Sequence, residues 1–145
     1  KPETCHQEDL VGTATVRWIG GQTYVGIDST QHSVTIATPA EGVGIKPSDL
    51  LLLAMGACPS VDVVEILRKK KITLSLLEVT VTGEQDADPP WTFRKFHLHF
   101  RLKGEGLTPR AAEQALHLAE EKYCSVSSTV KPTAQVSLSY EIIES

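Results

Sequence analysis

A chain of 145 residues has room for one domain that buries roughly two thirds of the surface its unfolded form exposes. With 41% hydrophobic, 22% charged and 6% aromatic residues and only three cysteines, it is neither a disordered segment nor a disulfide scaffold. Fourteen basic side chains against eighteen acidic ones leave a net charge of −4, which repels a phosphate backbone and favours a small-molecule partner over nucleic acid.

Residues 1–12 read as a polar tail, with Cys5 in an undistinguished setting, and residues 13–145 as a single domain. Lys1 to Asp9 lacks the apolar core of a secretory signal, and the apolar run Leu50 to Cys58 is nine residues long against the roughly 20 that cross a bilayer. A cytoplasmic protein with no membrane partner is expected. Thr13 to Trp18, Tyr24 to Asp28 and Ser33 to Thr38 are short β-type segments, split by Gly20-Gly21 and by Ser29 to His32, as in a three-stranded meander.

Lys46 to Lys71 is predicted to be helical. Pro47 fits a first turn, Asp49 the positive end, and Arg68 to Lys71 the negative end. Leu50 to Met55 leave this helix no polar side, so it should be buried, and a chain of this size covers such a helix only with a wrapped sheet or a second subunit.

Leu76 to Thr82 and Thr92 to Leu102 follow as a hairpin around Asp86 to Pro90. Phe96, Leu98, Phe100 and Leu102 alternate on one face and His97, His99 and Arg101 on the other. Thr108-Pro109 is an N-cap and first-turn signal for a second helix that runs to about Tyr123. Val136, Leu138, Tyr140 and Ile142 alternate along a closing strand. The order β-β-β-α-β-β-α-β with a mostly antiparallel sheet is an α+β fold.

Chemistry is carried by two thiols. Cys58 precedes Pro59, whose ring disfavours helical geometry at the residue before it, so the helix should kink or restart there. That places Cys58 before a fresh helix start, where the N–H groups near Ser60, Val61 and Asp62 stabilise a thiolate and the Asp62 charge opposes it. The bland alternative is a free cysteine serving as a small core hydrophobe. Cys124, in Glu121-Lys122-Tyr123-Cys124-Ser125-Val126-Ser127, closes the second helix, whose negative end disfavours a thiolate. It is therefore a poor first attacker, yet can resolve an oxidised partner if the fold brings the two within disulfide reach.

His97 and His99 share a strand face that two metal ligands can use. With no third ligand signalled nearby, a polar solvated face is the favoured reading. No phosphate-cradling motif accompanies Gly20-Gly21 and no paired C-x-x-C marks a zinc site, so neither a bound cofactor nor a metal is expected.

The block Lys46-Pro47-Ser48-Asp49-Leu50-Leu51-Leu52-Leu53-Ala54-Met55-Gly56-Ala57-Cys58, then Val61-Asp62-Val63, and later Glu121 to Val126, resembles the OsmC/Ohr superfamily of osmotically inducible and organic-hydroperoxide-resistance proteins, and within it the YhfA-like branch. The resemblance runs from about Thr13 to Glu144. It implies an intertwined homodimer with two central helices back to back and active sites at the subunit interface. It further implies a thiol peroxidase of oxidative stress defence: Cys58 attacks an organic hydroperoxide and becomes a sulfenic acid, Cys124 condenses with it to a disulfide, and an external dithiol of lipoyl type resets the pair.

The peroxidase branches carry a glutamate ten residues before the first cysteine, where this chain has Ser48, and an arginine in the loop after the first strand, where Gly20-Gly21-Gln22-Thr23 has none. Arg17 with Asp49 is the substitute pair this sequence offers. Two alternatives stay open beside the enzyme: a redox sensor that forms the disulfide without turnover, and a small-ligand-binding protein.

Overall fold

A computed structural model describes residues 11–144; the Cys5 setting and most of the polar tail lie outside them. The chain divides into two compact units, Lys1–Leu51 and Leu52–Ser145.

The first unit holds the meander. Strands β1 (Thr15–Gly20), β2 (Thr23–Ile27) and β3 (Ser33–Ala37) pair antiparallel in the order β1-β2-β3. The turn between β1 and β2 uses Gly20 and Gly21 at φ 124° and 54°, a backbone region that L side chains rarely adopt. Ile36 and Ala37 are buried, whereas Val16, Trp18 and Ile19 on β1 stay exposed.

Helix α1 spans Pro47–Lys69 with Asp49 in its first turn and Arg68 and Lys69 in its last, as the charges along the sequence predict. It differs from expectation at Pro59. The helix neither stops nor restarts there but runs unbroken through Cys58-Pro59, with the proline ring fully buried. Proline has no N–H to offer the carbonyl four residues back and costs a helix interior about 3 kcal/mol, so packing of that ring offsets the local penalty. The N–H groups after Cys58 consequently belong to the ladder of a continuing helix and are not the free donors of a fresh start. Ser60 adds a side-chain bond of its own, Oγ to the Gly56 carbonyl at 2.6 Å.

The second unit is built on a sheet of β4 (Thr73–Gln85), β5 (Phe93–Glu105) and β6 (Gln135–Ile142), ordered β4-β5-β6, with β4 and β5 antiparallel and β6 parallel to β5. Both strands of the hairpin are longer than the apolar alternation alone suggests, 13 residues each. Parallel pairing of β6 with β5 demands a crossover. That crossover consists of α2 (Pro109–Leu118), a π-helical turn (Ala119–Tyr123) and α3 (Ser125–Val130). The sequence predicts a single helix to Tyr123. The chain instead widens into the π turn after Leu118 and, past the extended Cys124, winds a further helix. Thr108 caps α2 as its sequence signals, Oγ1 accepting the Ala111 N–H at 3.2 Å.

Register sets Val79, Val81 and Gly83 opposite Phe100, Leu98 and Phe96, and these opposite Tyr140, Leu138 and Val136, so one face of the sheet is apolar throughout. Helix α1 lies against it through Met55, Pro59, Val63 and Leu67, all buried and spaced by four. The approach is close at Gly56, where a Cβ would stand 2.9 Å from Val81 Cγ2. Burial of α1 is therefore one-sided in the single chain: Leu53, Val61 and Val64 remain exposed.

With 23 residues and a mean hydropathy of 1.9 over its most apolar stretch, α1 meets the length and composition of a membrane span, which the nine-residue run did not suggest. A third of that stretch is buried within the single chain.

Candidate thiol site

Cys58 sits half-buried on α1 and Cys124 is 3% exposed; both are free thiols. Separated by 124 − 58 = 66 residues, they lie near enough in the fold that Cys58 acts on the Cys124 thiol. Spacing along the sequence left this open. Packing of α1 and of the crossover on the same sheet decides it.

Cys124 occupies the joint between the π turn and α3, with an extended backbone at φ −85° and ψ 105°. It is the N-cap of α3, and its Sγ accepts the Ser127 N–H at 3.2 Å. The sequence places this thiol at a negative helix end alone, but the same residue also opens a helix. What holds it neutral is chiefly burial, aided by the neighbouring Cys58. Together they push the thiol up to about 11 against the pull of the Ser127 and Val126 N–H groups.

Three further side chains complete the surroundings of Cys124, and no motif singled them out. Glu120, on the π turn, is only 6% exposed. Its Oε2 accepts both the Ser127 hydroxyl at 2.8 Å and Lys131 Nζ at 2.7 Å. Burial works to raise the Glu120 carboxyl, but the bonds from Lys131 and Ser127 outweigh it and hold the group below the usual carboxylate value. Lys131 is held protonated above its ordinary value first by Glu120, and further by the charges of Glu121, 3.8 Å away, and of Cys124. Ser127 thus touches the sulfur with its backbone and the carboxylate with its hydroxyl. A serine three residues after a capping residue is visible in the sequence. That Glu120 turns inward is not, because a π turn shifts side-chain phase relative to the α-helix before it.

Arg17 and Asp49 belong to the first unit. Arg17 is exposed on β1 opposite Val25, and Asp49 is half-buried in the first turn of α1. Among the described residues no ion pair joins the two.

His97 and His99 lie on the polar face of the second sheet in one hydrogen-bonded run. His97 contacts Ser137 Oγ at 2.7 Å and Ser139 Oγ at 2.8 Å, and His99 contacts Ser139 Oγ at 2.6 Å and Glu141 Oε1 at 3.5 Å. Among the described residues no group of three or more His, Cys, Asp or Glu is arranged to hold a metal ion. A cavity of about 630 Å³ beside this face is lined by Thr82, Glu84, Lys95, His97, Lys131 and Ser137, among others.

Comparison with known proteins agrees with the architecture. The family model described as OsmC-like protein matches residues 38–139. Protein YhfA of Escherichia coli K12 is 32% identical over 130 residues, covering 90% of this chain and 97% of that protein. Among solved structures, a hypothetical protein from Aquifex aeolicus superposes with a TM-score of 0.82 at 27% identity over 92% of this chain and 96% of its own. The organic hydroperoxide resistance protein OhrB of Bacillus subtilis shares the fold, with a TM-score of 0.62 at 19% identity over 91% and 98%. The matched span and the curated relative together settle the assignment: this chain belongs to the OsmC-like protein family.

Proposed function

We propose that this protein is a thiol peroxidase that reduces organic hydroperoxides, with Cys58 as the attacking thiol and Cys124 as the resolving one. The observation that carries the proposal is the proximity of two free thiols from distant segments, one half-buried and one buried, within an OsmC-like fold. OhrB, which shares the fold, is an organic hydroperoxide resistance protein, and this supports the same substrate class.

The Cys58 thiolate attacks the terminal peroxide oxygen, the O–O bond breaks, the alcohol leaves with a proton, and Cys58 becomes a sulfenic acid. Cys124 then attacks that sulfur, an S–S bond forms and water departs. An external small dithiol, lipoyl-type by analogy with the family, exchanges into the disulfide, leaves as its own cyclic disulfide and returns both thiols. No bound metal or cofactor enters this cycle.

The working unit we propose is a homodimer with its sites at the subunit interface, acting in the cytoplasm. Leu53, Val61 and Val64, at 56%, 66% and 44% exposure, lie along the side of α1 turned away from the sheet together with exposed Ala57. A leucine and two valines in line are what a second helix covers. In this reading Cys58 supplies the nucleophile.

The test is dithiol-dependent consumption of cumene hydroperoxide compared with hydrogen peroxide. Sustained consumption that favours the alkyl hydroperoxide supports the proposal. A disulfide formed once and not reduced by any dithiol points instead to a sensor, and no oxidation of either thiol points to a binding protein.

A further inference from the structure

A carboxylate at 6% exposure needs a reason. Glu120 is ionised beside Lys131, and burying such a pair gains little stability, since well-packed apolar side chains of similar volume serve as well or better. The short helix α3 does not require it either, being capped through Cys124 and Ser127. The pair is, however, fixed to the sulfur through one residue. The Ser127 N–H donates to Cys124 Sγ at 3.2 Å while the Ser127 hydroxyl donates to the same Glu120 oxygen that binds Lys131 Nζ at 2.7 Å.

Lys131 closes α3 at the end opposite Cys124, and its backbone N–H donates to the Ser127 carbonyl at 3.0 Å. Sulfur, carboxylate and ammonium are in this way all referenced to Ser127. Charge on Cys124 favours the protonated form of Lys131, and an interaction between two ionisable groups is reciprocal: the ammonium must favour the thiolate by the same amount.

We infer that Lys131 is a positioning residue for the second thiol, setting a positive charge on the same Ser127-centred network as Cys124, and that Glu120, held by Ser127, keeps the ammonium in place. In the peroxidase cycle proposed above, on which only this consequence rests, the Cys124 thiolate attacks the Cys58 sulfenic acid. The S–O bond breaks, and the departing hydroxide takes up the proton Cys124 has lost, while Lys131 stays protonated. The cation and carboxylate that the family resemblance seeks beside the first thiol thus have a counterpart beside the second.

Among the other ionisable groups, Cys58 on α1 opposes the ionisation of Cys124; Asp62 lies buried on α1 one turn beyond Cys58, and Glu121 shares Lys131 with Glu120.

The experiment uses the full chain with Cys5→Ser and Cys58→Ser, leaving Cys124 as its single thiol, labelled with ¹³C at cysteine Cβ and lysine Cε and titrated by NMR. In Lys131→Met the Cys124 titration should move upward by a few tenths of a pH unit, about twofold less thiolate at a given pH, and Lys131→Arg should restore most of it. A purely structural lysine predicts the opposite, since loosening α3 admits water to the sulfur and brings its titration down toward the ordinary 9.0. A downward or absent shift therefore overturns the inference.

Should Lys131→Met not fold, the reciprocal measurement leaves Lys131 in place and compares the parent with Cys124→Ser, which keeps an acceptor at the α3 cap. The Lys131 Cε resonance must titrate at lower pH once Cys124→Ser removes the thiolate, and an unchanged Lys131 titration overturns the inference. Coupling without hydroperoxide turnover would reject the peroxidase and leave this inference standing, and turnover without coupling would do the reverse.

Discussion

Ser127 donates its backbone N–H to the sulfur of Cys124 at 3.2 Å, so the thiol assigned to disulfide formation is also the cap of α3. In the proposed cycle that sulfur becomes bonded to Cys58, which should weaken its cap on α3. Amide hydrogen exchange of Ser127, Ser128 and Thr129 should accelerate on oxidation. Cys124→Ala, which removes the cap permanently and leaves a small void, should cost about 1 to 3 kcal/mol in urea unfolding. Cys124→Ser, which keeps an acceptor at the cap, should cost less than Cys124→Ala.

Roles of the two thiols separate in single-residue variants. Cys58→Ser should reduce hydroperoxide consumption to the uncatalysed rate. Cys124→Ser should still consume about one equivalent of cumene hydroperoxide per chain and accumulate a sulfenic acid at Cys58 that dimedone traps, visible by mass spectrometry. Trapping at Cys124 in a Cys58→Ser chain at a comparable rate would reverse the assignment.

Turnover should rise steeply with pH where resolution limits it. With its thiol near 11, Cys124 at pH 7 is ionised in only about one molecule in ten thousand. Disulfide formation after a hydroperoxide pulse should accelerate roughly tenfold per pH unit between 7 and 9, measured by rapid quench with an alkylating agent.

Stability carries the same signature with the sign fixed by linkage. Above pH 9 the unfolded chain loses the Cys124 proton while the folded chain keeps it up to about 11. The unfolded state then binds fewer protons, and stability falls with rising pH. The contribution is fully present below about pH 9 and is lost progressively up to about pH 11, on the order of 2 to 3 kcal/mol in the reduced protein. Denaturant midpoints measured across that window should fall more in the parent than in Cys124→Ser.

Association should depend on the exposed line along α1. Sedimentation at micromolar concentration should give twice 15.8 kDa, and Leu53→Glu or Val61→Glu should shift it to a single chain. A buried, unpaired carboxylate costs an interface about 3 kcal/mol, roughly a hundredfold in dissociation constant.

Much of this molecule is set by local signals that a sequence displays directly. The Thr108 cap and Pro109 start α2, charges at Asp49 and Arg68 mark the ends of α1, and the alternation from Phe96 to Leu102 defines the buried face of β5. Each depends on a few neighbouring residues, so the order of elements and the family resemblance were legible from the chain alone.

The site was less so, because its determinants are not local. Pro59 is a helix breaker by its own chemistry, and only burial of its ring against the second sheet lets α1 continue. The inward turn of Glu120 follows from a π-helical phase shift that periodicity does not reveal. Proximity of Cys58 and Cys124 needs the crossover that returns β6 parallel to β5. Residue types and their neighbours mark both cysteines as the chemically interesting positions. Their meeting, and the company Cys124 keeps, come from long-range packing, whose free energy overrides helix propensity at Pro59 and helix-end electrostatics at Cys124.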